Sequence, residues 1–326
     1  MRRLALVLLP CVAWLASACH GASERAKGTT AAGSQGAQAN GPIWFLGGRR
    51  PGSVFGRSSG AYRVVLGGGR LVRVRLPDPL YSVTGLAASP DGRWIALSSG
   101  GGEFPPRNIY VMRSDGSGAR RITSGDFNDV SPAWSPSGDE IVFSRSSTSH
   151  HALYVVRPDG TGLHRVIDDG ADDASAAWSP AGDRIAYVRI PMAAGTPHVW
   201  VVNPDGTRAR GITGDARFYA DVAWSPDGRR LATISYLIDE RDWQVRIMDA
   251  DGGGVRTVAK CTRPCRRGGY SLEWSPDGTR LAFTVFTKID TDTAPRVAIA
   301  DVAGGGLRLA DTHGVGACCL SWIRAN

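Results

Sequence analysis

The sequence predicts an all-β chain folded as a six-bladed β-propeller of four-stranded antiparallel blades, closed by one C-terminal plus three N-terminal strands. Three observations carry this. A Ser-Pro-x-Gly turn recurs five times along the chain. Each copy is followed by alternating apolar runs of strand length. No segment combines a helical period with helix caps.

The turns are Ser89-Pro90-Asp91-Gly92, Ser135-Pro136-Ser137-Gly138, Ser179-Pro180-Ala181-Gly182, Ser225-Pro226-Asp227-Gly228 and Ser275-Pro276-Asp277-Gly278, spaced 46, 44, 46 and 50 residues apart. Proline presets φ at the first central position of a type I turn, and glycine supplies the left-handed residue that closes a bulged hairpin. Trp134, Trp178, Trp224 and Trp274 precede the serine in four copies, and Ala88 does so in the first. After each glycine comes an apolar run such as Trp94–Leu97 or Ile185–Val188, then a third run such as Leu153–Val156. A second turn follows, as in Pro158-Asp159-Gly160 or Pro204-Asp205-Gly206, and then an arginine-bearing fourth run. Two hairpins per repeat of about 45 residues make a propeller blade.

Residues 42–326 number 285, which is 6.1 times the mean spacing of 46.5. Five turns and six repeat lengths require one split blade. Cys318–Trp322 aligns with Tyr270–Trp274 and supplies its innermost strand. Ile43–Leu46, Tyr62–Val65 and Leu71–Arg75 supply the other three. Closure of this kind removes exposed sheet edges.

Trp-Ser-Pro-Asp-Gly with an apolar second strand and an Asp-Gly second hairpin resembles the WD-repeat-like propeller of TolB-type periplasmic proteins. The resemblance covers nearly all of residues 42–326 and implies the fold. TolB proper carries a mixed α/β domain before its propeller, and residues 19–41 here have no such pattern, so the resemblance does not bring the Tol-Pal role with it.

The N-terminus reads as an export signal. Arg2 and Arg3 precede an apolar stretch, Leu4 to Ala18, that is too short to span a bilayer. Ala16-Ser17-Ala18 forms a small-residue cleavage site immediately before Cys19. That arrangement resembles the lipobox of bacterial lipoproteins, which implies a lipidated Cys19, although Leu15 stands one place earlier than the lipobox leucine. Residues 19–41 are rich in Ala, Gly, Ser and Thr and are expected to be a flexible tether. Removing residues 1–18 takes away two arginines and no acid, lowering the formal charge from +8 to +6. The chain holds only three lysines, Lys27, Lys260 and Lys288, so its basic residues are almost all arginine. They are dispersed over the outermost strands, where charge discourages edge-to-edge pairing. An exported chain with scattered basic residues is not expected to bind nucleic acid.

Up-and-down connectivity places both tight hairpins of a blade on one face and the longer connections on the other. Loops on a rigid scaffold concentrate function, so the expected site is the long-loop face around the channel mouth. Asp126, Asp129, Asp172, Asp173, Asp215 and Asp221 fall in the segments leading into innermost strands. Asp129, Asp173, Phe218, Tyr219 and Asp221 are the expected partner-binding residues. The repeat tryptophans are expected to pack between blades.

Cys261, Cys265, Cys318 and Cys319 fall on one face of neighbouring blades and are disulfide candidates in an oxidising compartment. Four cysteines allow three pairings. Bonds between the two pairs would staple the closure blade to its neighbour, worth about 3–4 kcal/mol in the chain-entropy model. A local Cys261–Cys265 bond with a vicinal Cys318–Cys319 bond is the alternative. Gly56-Arg57-Ser58-Ser59-Gly60 matches Gly-x-Ser-x-Gly but lacks the strand-to-helix setting of a nucleophile elbow. His150, His151, His198 and His313 share no repeat position. No catalytic residue, metal or cofactor is expected. The sequence therefore points to an exported, membrane-anchored, monomeric and non-catalytic scaffold of the periplasm or cell surface, which engages an envelope protein or polymer. The alternative is a metal-dependent lyase or hydrolase, or a small-ligand (sugar) sensor at the channel mouth, the last using Phe127, Phe218, Tyr219 and Trp243.

Overall fold

The computed structural model describes residues 40–48, 60–64, 71–77, 80–100, 106–146, 150–192, 195–237, 243–260, 267–286, 295–304, 306–312 and 316–324. All of its regular structure is β. β1 (Asn40–Gly48), β2 (Gly60–Val64) and β3 (Val72–Val74) open the chain. β4 (Tyr81–Ala88), β5 (Trp94–Gly100), β6 (Arg107–Arg113) and β7 (Arg120–Arg121) follow. Next come β8 (Asn128–Trp134), β9 (Ile141–Ser146), β10 (His151–Val156) and β11 (His164–Ile167). β12 (Asp172–Trp178), β13 (Ile185–Ile190), β14 (His198–Val202) and β15 (Arg210–Gly211) form the next set. β16 (Phe218–Trp224), β17 (Arg230–Tyr236), β18 (Gln244–Asp249) and β19 (Arg256–Lys260) follow it. β20 (Arg267–Trp274), β21 (Arg280–Phe286), β22 (Arg296–Asp301), β23 (Leu307–Leu309) and β24 (Gly316–Arg324) complete the chain.

These strands form a propeller of antiparallel sheets. Four sheets have four strands each, and one has eight. In the eight-stranded sheet β4–β7 and β8–β11 are joined by one parallel pair, Arg107 with Asn128, whose side chains also meet at 3.4 Å. The sequence expects these as separate blades, and that single contact merges them into one ladder. The closure is as expected, with strand order β24-β1-β2-β3. β1 starts two residues before the expected boundary at Pro42. Asn40 donates to Asp277 Oδ2 at 2.7 Å, and the Gly41 carbonyl accepts from Trp322 Nε1 at 3.2 Å.

The turn chemistry is the same in all five copies. Ser89 Oγ accepts from Trp94 N–H at 2.9 Å, and the Ser89 carbonyl accepts from Gly92 N–H at 2.9 Å. Gly92, Gly138, Gly182, Gly228 and Gly278 have φ between 68° and 79°. The second hairpins need glycine for an added reason. A Cβ on Gly206 would lie 2.3 Å from the Val166 carbonyl oxygen of the preceding sheet, and one on Gly252 would lie 2.3 Å from that of Ile212.

The core lies between neighbouring sheets. Val142, Leu153 and Val155 pack against Trp178, Ile185, Tyr187 and Val202 across one seam. The repeat tryptophans sit in these seams, as expected. Trp134 Nε1 donates to the Ala87 carbonyl at 3.1 Å, and Trp274 Nε1 to that of Ala223 at 3.2 Å. Arg184 and Arg230 lie over the Trp224 and Trp274 rings at 4.7 and 5.4 Å.

Candidate functional site: the axial channel

The innermost strands are β4, β8, β12, β16, β20 and β24. The first five end in the repeat tryptophan or its counterpart Ala88, β24 runs two residues past Trp322, and each carries a bulge a few residues before that position. Ser131, Ser175 and Cys319 take positive φ there, at 53°, 52° and 53°, and Gly85 occupies the same repeat position. A Cβ on Gly85 would meet Pro132 Cδ at 3.0 Å, so the chains approach closely at this level. The bulge bends the strand and re-aims its side chains.

Two levels of side chains then line an axial cavity of about 670 Å³. One level, three residues before the tryptophan, is Gly85, Ser131, Ser175, Asp221, Ser271 and Cys319. The other, one residue before it, is Ala87, Ala133, Ala177, Ala223, Glu273 and Ser321. Hairpin prolines Pro90, Pro136, Pro180, Pro226 and Pro276 also line the cavity, which places one end of it at the tight-turn face. The channel is therefore walled by small residues, with two carboxyl groups on adjacent innermost strands.

The small side chains latch neighbouring sheets. Leu320 N–H donates to Ser271 Oγ at 2.7 Å, and Ala88 N–H to Ser321 Oγ at 3.1 Å. Asp221 is the equivalent latch in the preceding sheet. Its carboxyl accepts from Val222 N–H at 3.0 Å and also bonds Leu272 N–H and the Ser175 hydroxyl. Burial in the channel nevertheless pushes Asp221 up to about 8. Burial, with the charge of Asp221 added, pushes Glu273 up to about 8. Among the described residues no cation offsets either shift, so near neutral pH the pair is mostly protonated. Such a pair donates and accepts hydrogen bonds when neutral, and it ionises when a donor or cation arrives.

Of the five expected partner-binding residues, only Asp221 lines the channel. The sequence places Asp129 and Asp173 in loops, but β8 and β12 begin before them, so both lie within innermost strands. Asp129 is fully buried and receives two bonds from Arg145, at 2.7 and 2.8 Å. Asp173 is fully buried and receives two from Arg189, at 2.9 and 3.0 Å. Arg145 lies over Phe127, Tyr154 and Phe143 at 4.7, 5.1 and 5.4 Å, and Arg189 over Trp200 at 4.6 Å. These carboxylates tie an innermost strand to its neighbour and offer nothing to a partner. Phe218 is buried and stacks on Tyr236 at 5.4 Å. Tyr219 is buried and donates to Asp215 at 2.9 Å, and burial pushes its hydroxyl up to about 12. Trp243 is also buried, against Tyr236 at 4.3 Å; of the aromatics expected to serve a ligand, Phe127 is the exposed one.

Glu273 is a site residue that sequence reasoning misses. A signal exists, since in the column before the repeat tryptophan every other copy has Ala or Ser. Cys261, Cys265, Cys19 and the 56–59 segment lie outside the described residues, as does the Cys318 side chain. Cys319 Sγ lines the channel and donates to the Thr84 carbonyl at 3.1 Å. His150 bonds Asp168 at 2.5 Å and His151 bonds Asp172 at 3.0 Å, while His198 meets Thr196 at 2.8 Å. Among the described residues, no three His, Cys, Asp or Glu side chains converge as a metal site would require.

A closed ring of β-sheets around an axial cavity defines the class: a β-propeller. The family model described as the TolB beta propeller domain matches residues 80–190 and 126–239, and this chain carries a TolB-like propeller. TolB from Acinetobacter baumannii superposes with a TM-score of 0.68 at 18% identity, covering 86% of this chain. This chain spans 66% of that TolB. A chain of a nidogen/laminin complex superposes with a TM-score of 0.66 at 13% identity, covering 86% of this chain and 97% of its own. Oligogalacturonate lyase in complex with manganese gives 0.56 at 15% identity, covering 77% and 70%. At these identities the likeness is one of fold. An uncharacterized protein of Agrobacterium fabrum, Atu1656, is 46% identical over 55 residues, which is 17% of this chain and 18% of that protein.

Proposed function

We propose that this chain is an exported binding scaffold, a six-bladed TolB-like propeller that engages an envelope protein or polymer. In this reading the eight-stranded sheet counts as two blades. The chain is held at the membrane through a lipidated Cys19 and the tether of residues 19–41, and the propeller works as a monomer in the periplasm or at the cell surface. Cys261 or Cys265 pairs with Cys318 across the closure, and Cys319 keeps its thiol.

The observation that supports this reading is the axial cavity. It is concave, rigidly walled by strands from all around the ring, and supplied with one polar focus, Asp221 with Glu273. Rigid, mostly apolar concavities with few convergent polar groups are the usual form of a binding site. The contact is assigned to the channel rather than to the long loops because Asp129 and Asp173 are consumed by Arg145 and Arg189.

The test is affinity capture from solubilised native envelope on the immobilised mature chain, beside an Ala133→Leu variant that narrows the channel. A partner retained by the parent and reduced at least tenfold by Ala133→Leu is the expected result. Equal retention by both proteins, or no retention at low salt, overturns the proposal.

A further inference from the structure

A second concavity lies away from the axis. Trp94 takes the second place after its hairpin glycine, where the other copies have Glu140, Arg184, Arg230 and Arg280. Charged side chains are the rule there because the position opens at the tight-turn face beside the next seam. Trp94 is half-buried against the seam that holds Trp134, with the Arg113 guanidinium 5.7 Å from its ring centre. The remainder of the indole borders a groove of about 740 Å³ between the β4–β7 and β8–β11 strands.

The other walls are polar and of both signs. Arg120 comes from the outermost strand β7, and Arg157 and Asp159 from the β10–β11 hairpin. Asp139 and Glu140 come from the β8–β9 hairpin. Arg120, Arg157, Asp139 and Asp159 are exposed. Asp159 is held in its turn by Thr161, whose N–H and hydroxyl donate to it at 2.8 and 2.7 Å. An indole presents a large, rigid apolar surface. Guanidinium groups supply only donors and carboxylates only acceptors. That combination matches a pyranose ring, which has an apolar C–H face and a rim of hydroxyls that both donate and accept. Three carboxylates stand beside the Arg120 and Arg157 guanidiniums, and Arg113 over the indole brings the charges to balance, so no net positive charge selects an anionic ligand.

We propose that the Trp94 groove is a binding site for uncharged hexose units of a glycan, separate from the axial channel. The C–H face of one sugar lies on the indole, and its hydroxyls bond Arg120, Arg157 and Glu140.

The experiment is calorimetric and saturation-transfer NMR titration of the full mature chain with cellohexaose, maltohexaose and laminarihexaose, with an alginate hexamer as the charged comparison. At least one neutral hexasaccharide is expected to bind, with an affinity unchanged between low and high salt. Trp94→Ala is expected to weaken it at least tenfold, and Trp94→Phe by less than about threefold. Because Trp94→Ala touches a packed seam, Arg120→Ala/Arg157→Ala on the exposed rim provides a second variant, with an expected loss of at least fivefold. Ala133→Leu in the channel is expected to leave glycan binding intact, which separates this site from the axial one. Binding of none of the neutral hexasaccharides overturns the proposal. So does a preference for alginate that vanishes with salt, or indifference to both sets of substitutions.

Discussion

Two pairs of acids in this ring do opposite work. Asp129 and Asp173 stand five residues before their tryptophans, and each is clasped by an arginine of the next strand. Asp221 and Glu273 stand three and one before theirs, on the axis, where no cation among the described residues meets them. The bulge lies between the two levels. Below it an acid is a cross-strand partner, since Asp129 faces Arg145 and Asp173 faces Arg189 in register. Above it an acid looks into the channel. Whether a carboxylate in this fold is structural or available for binding is thus decided by its distance from the tryptophan.

The comparison is broken most forcefully at the clasps. Asp129→Ala leaves the Arg145 guanidinium buried and uncompensated, and removing one partner of such a pair costs about 3–5 kcal/mol. Urea denaturation should show that loss for Asp129→Ala and a similar one for Asp173→Ala. Arg189 retains Asp169 at 2.7 Å, so the second loss should be the smaller. A change within about 0.5 kcal/mol, the range of ordinary surface substitutions, would show that the clasps are not what binds these strands.

The channel acids should behave in the reverse sense. A carboxyl whose folded-state pKa lies above its unfolded value favours folding only while protonated. Glu273 rises from 4.5 to about 8. Across that window the unfolded chain has released a proton that the folded chain keeps, so stability falls as pH rises, and above about 8 the penalty is complete. Glu273→Gln should match the parent near pH 4 and exceed it by about 1–3 kcal/mol near pH 9. Asp221→Asn should show the same sign, with part of the gain lost because an amide keeps only one of the two oxygens that can accept from the Val222 and Leu272 N–H groups. It should also lower the Glu273 midpoint, observable by carboxyl-carbon NMR titration. A parent and Glu273→Gln pair with parallel stability curves from pH 4 to 9 would place that acid in solvent.

The repeat is legible in the sequence because its turns depend on local chemistry. Proline, serine and glycine each act within the hairpin, and their spacing counts the strands directly. The closure is legible because a missing strand must exist somewhere in the chain. The bulge is not legible, since no residue type requires it: Ser131, Ser175 and Cys319 take positive φ with ordinary side chains. Without it, alternation cannot say which acids face the axis, and Asp129 and Asp173 look equivalent to Asp221. The one signal that survives is Glu273 in a column of alanine and serine, and it needs the repeats to be stacked before it can be seen.

The smallest expected effect tests how evenly the seams are built. Trp134 Nε1 reaches the Ala87 carbonyl at 3.1 Å, whereas among the described residues Trp178 Nε1 is buried with no hydrogen-bond partner. Replacing either indole by phenylalanine removes similar apolar surface, so the packing losses should nearly cancel between the two variants. What remains is the hydrogen bond, worth about 0.5–1.5 kcal/mol. For Trp178 there is no bond to lose, and removing an unsatisfied buried N–H offsets some of the cavity cost. Trp134→Phe should therefore be the more destabilising of the two by about 1 kcal/mol in equilibrium unfolding. Equal losses would mean that the seam at Trp178 closes further in solution and makes the same indole-to-carbonyl bond, so that the ring is more regular than its static geometry implies.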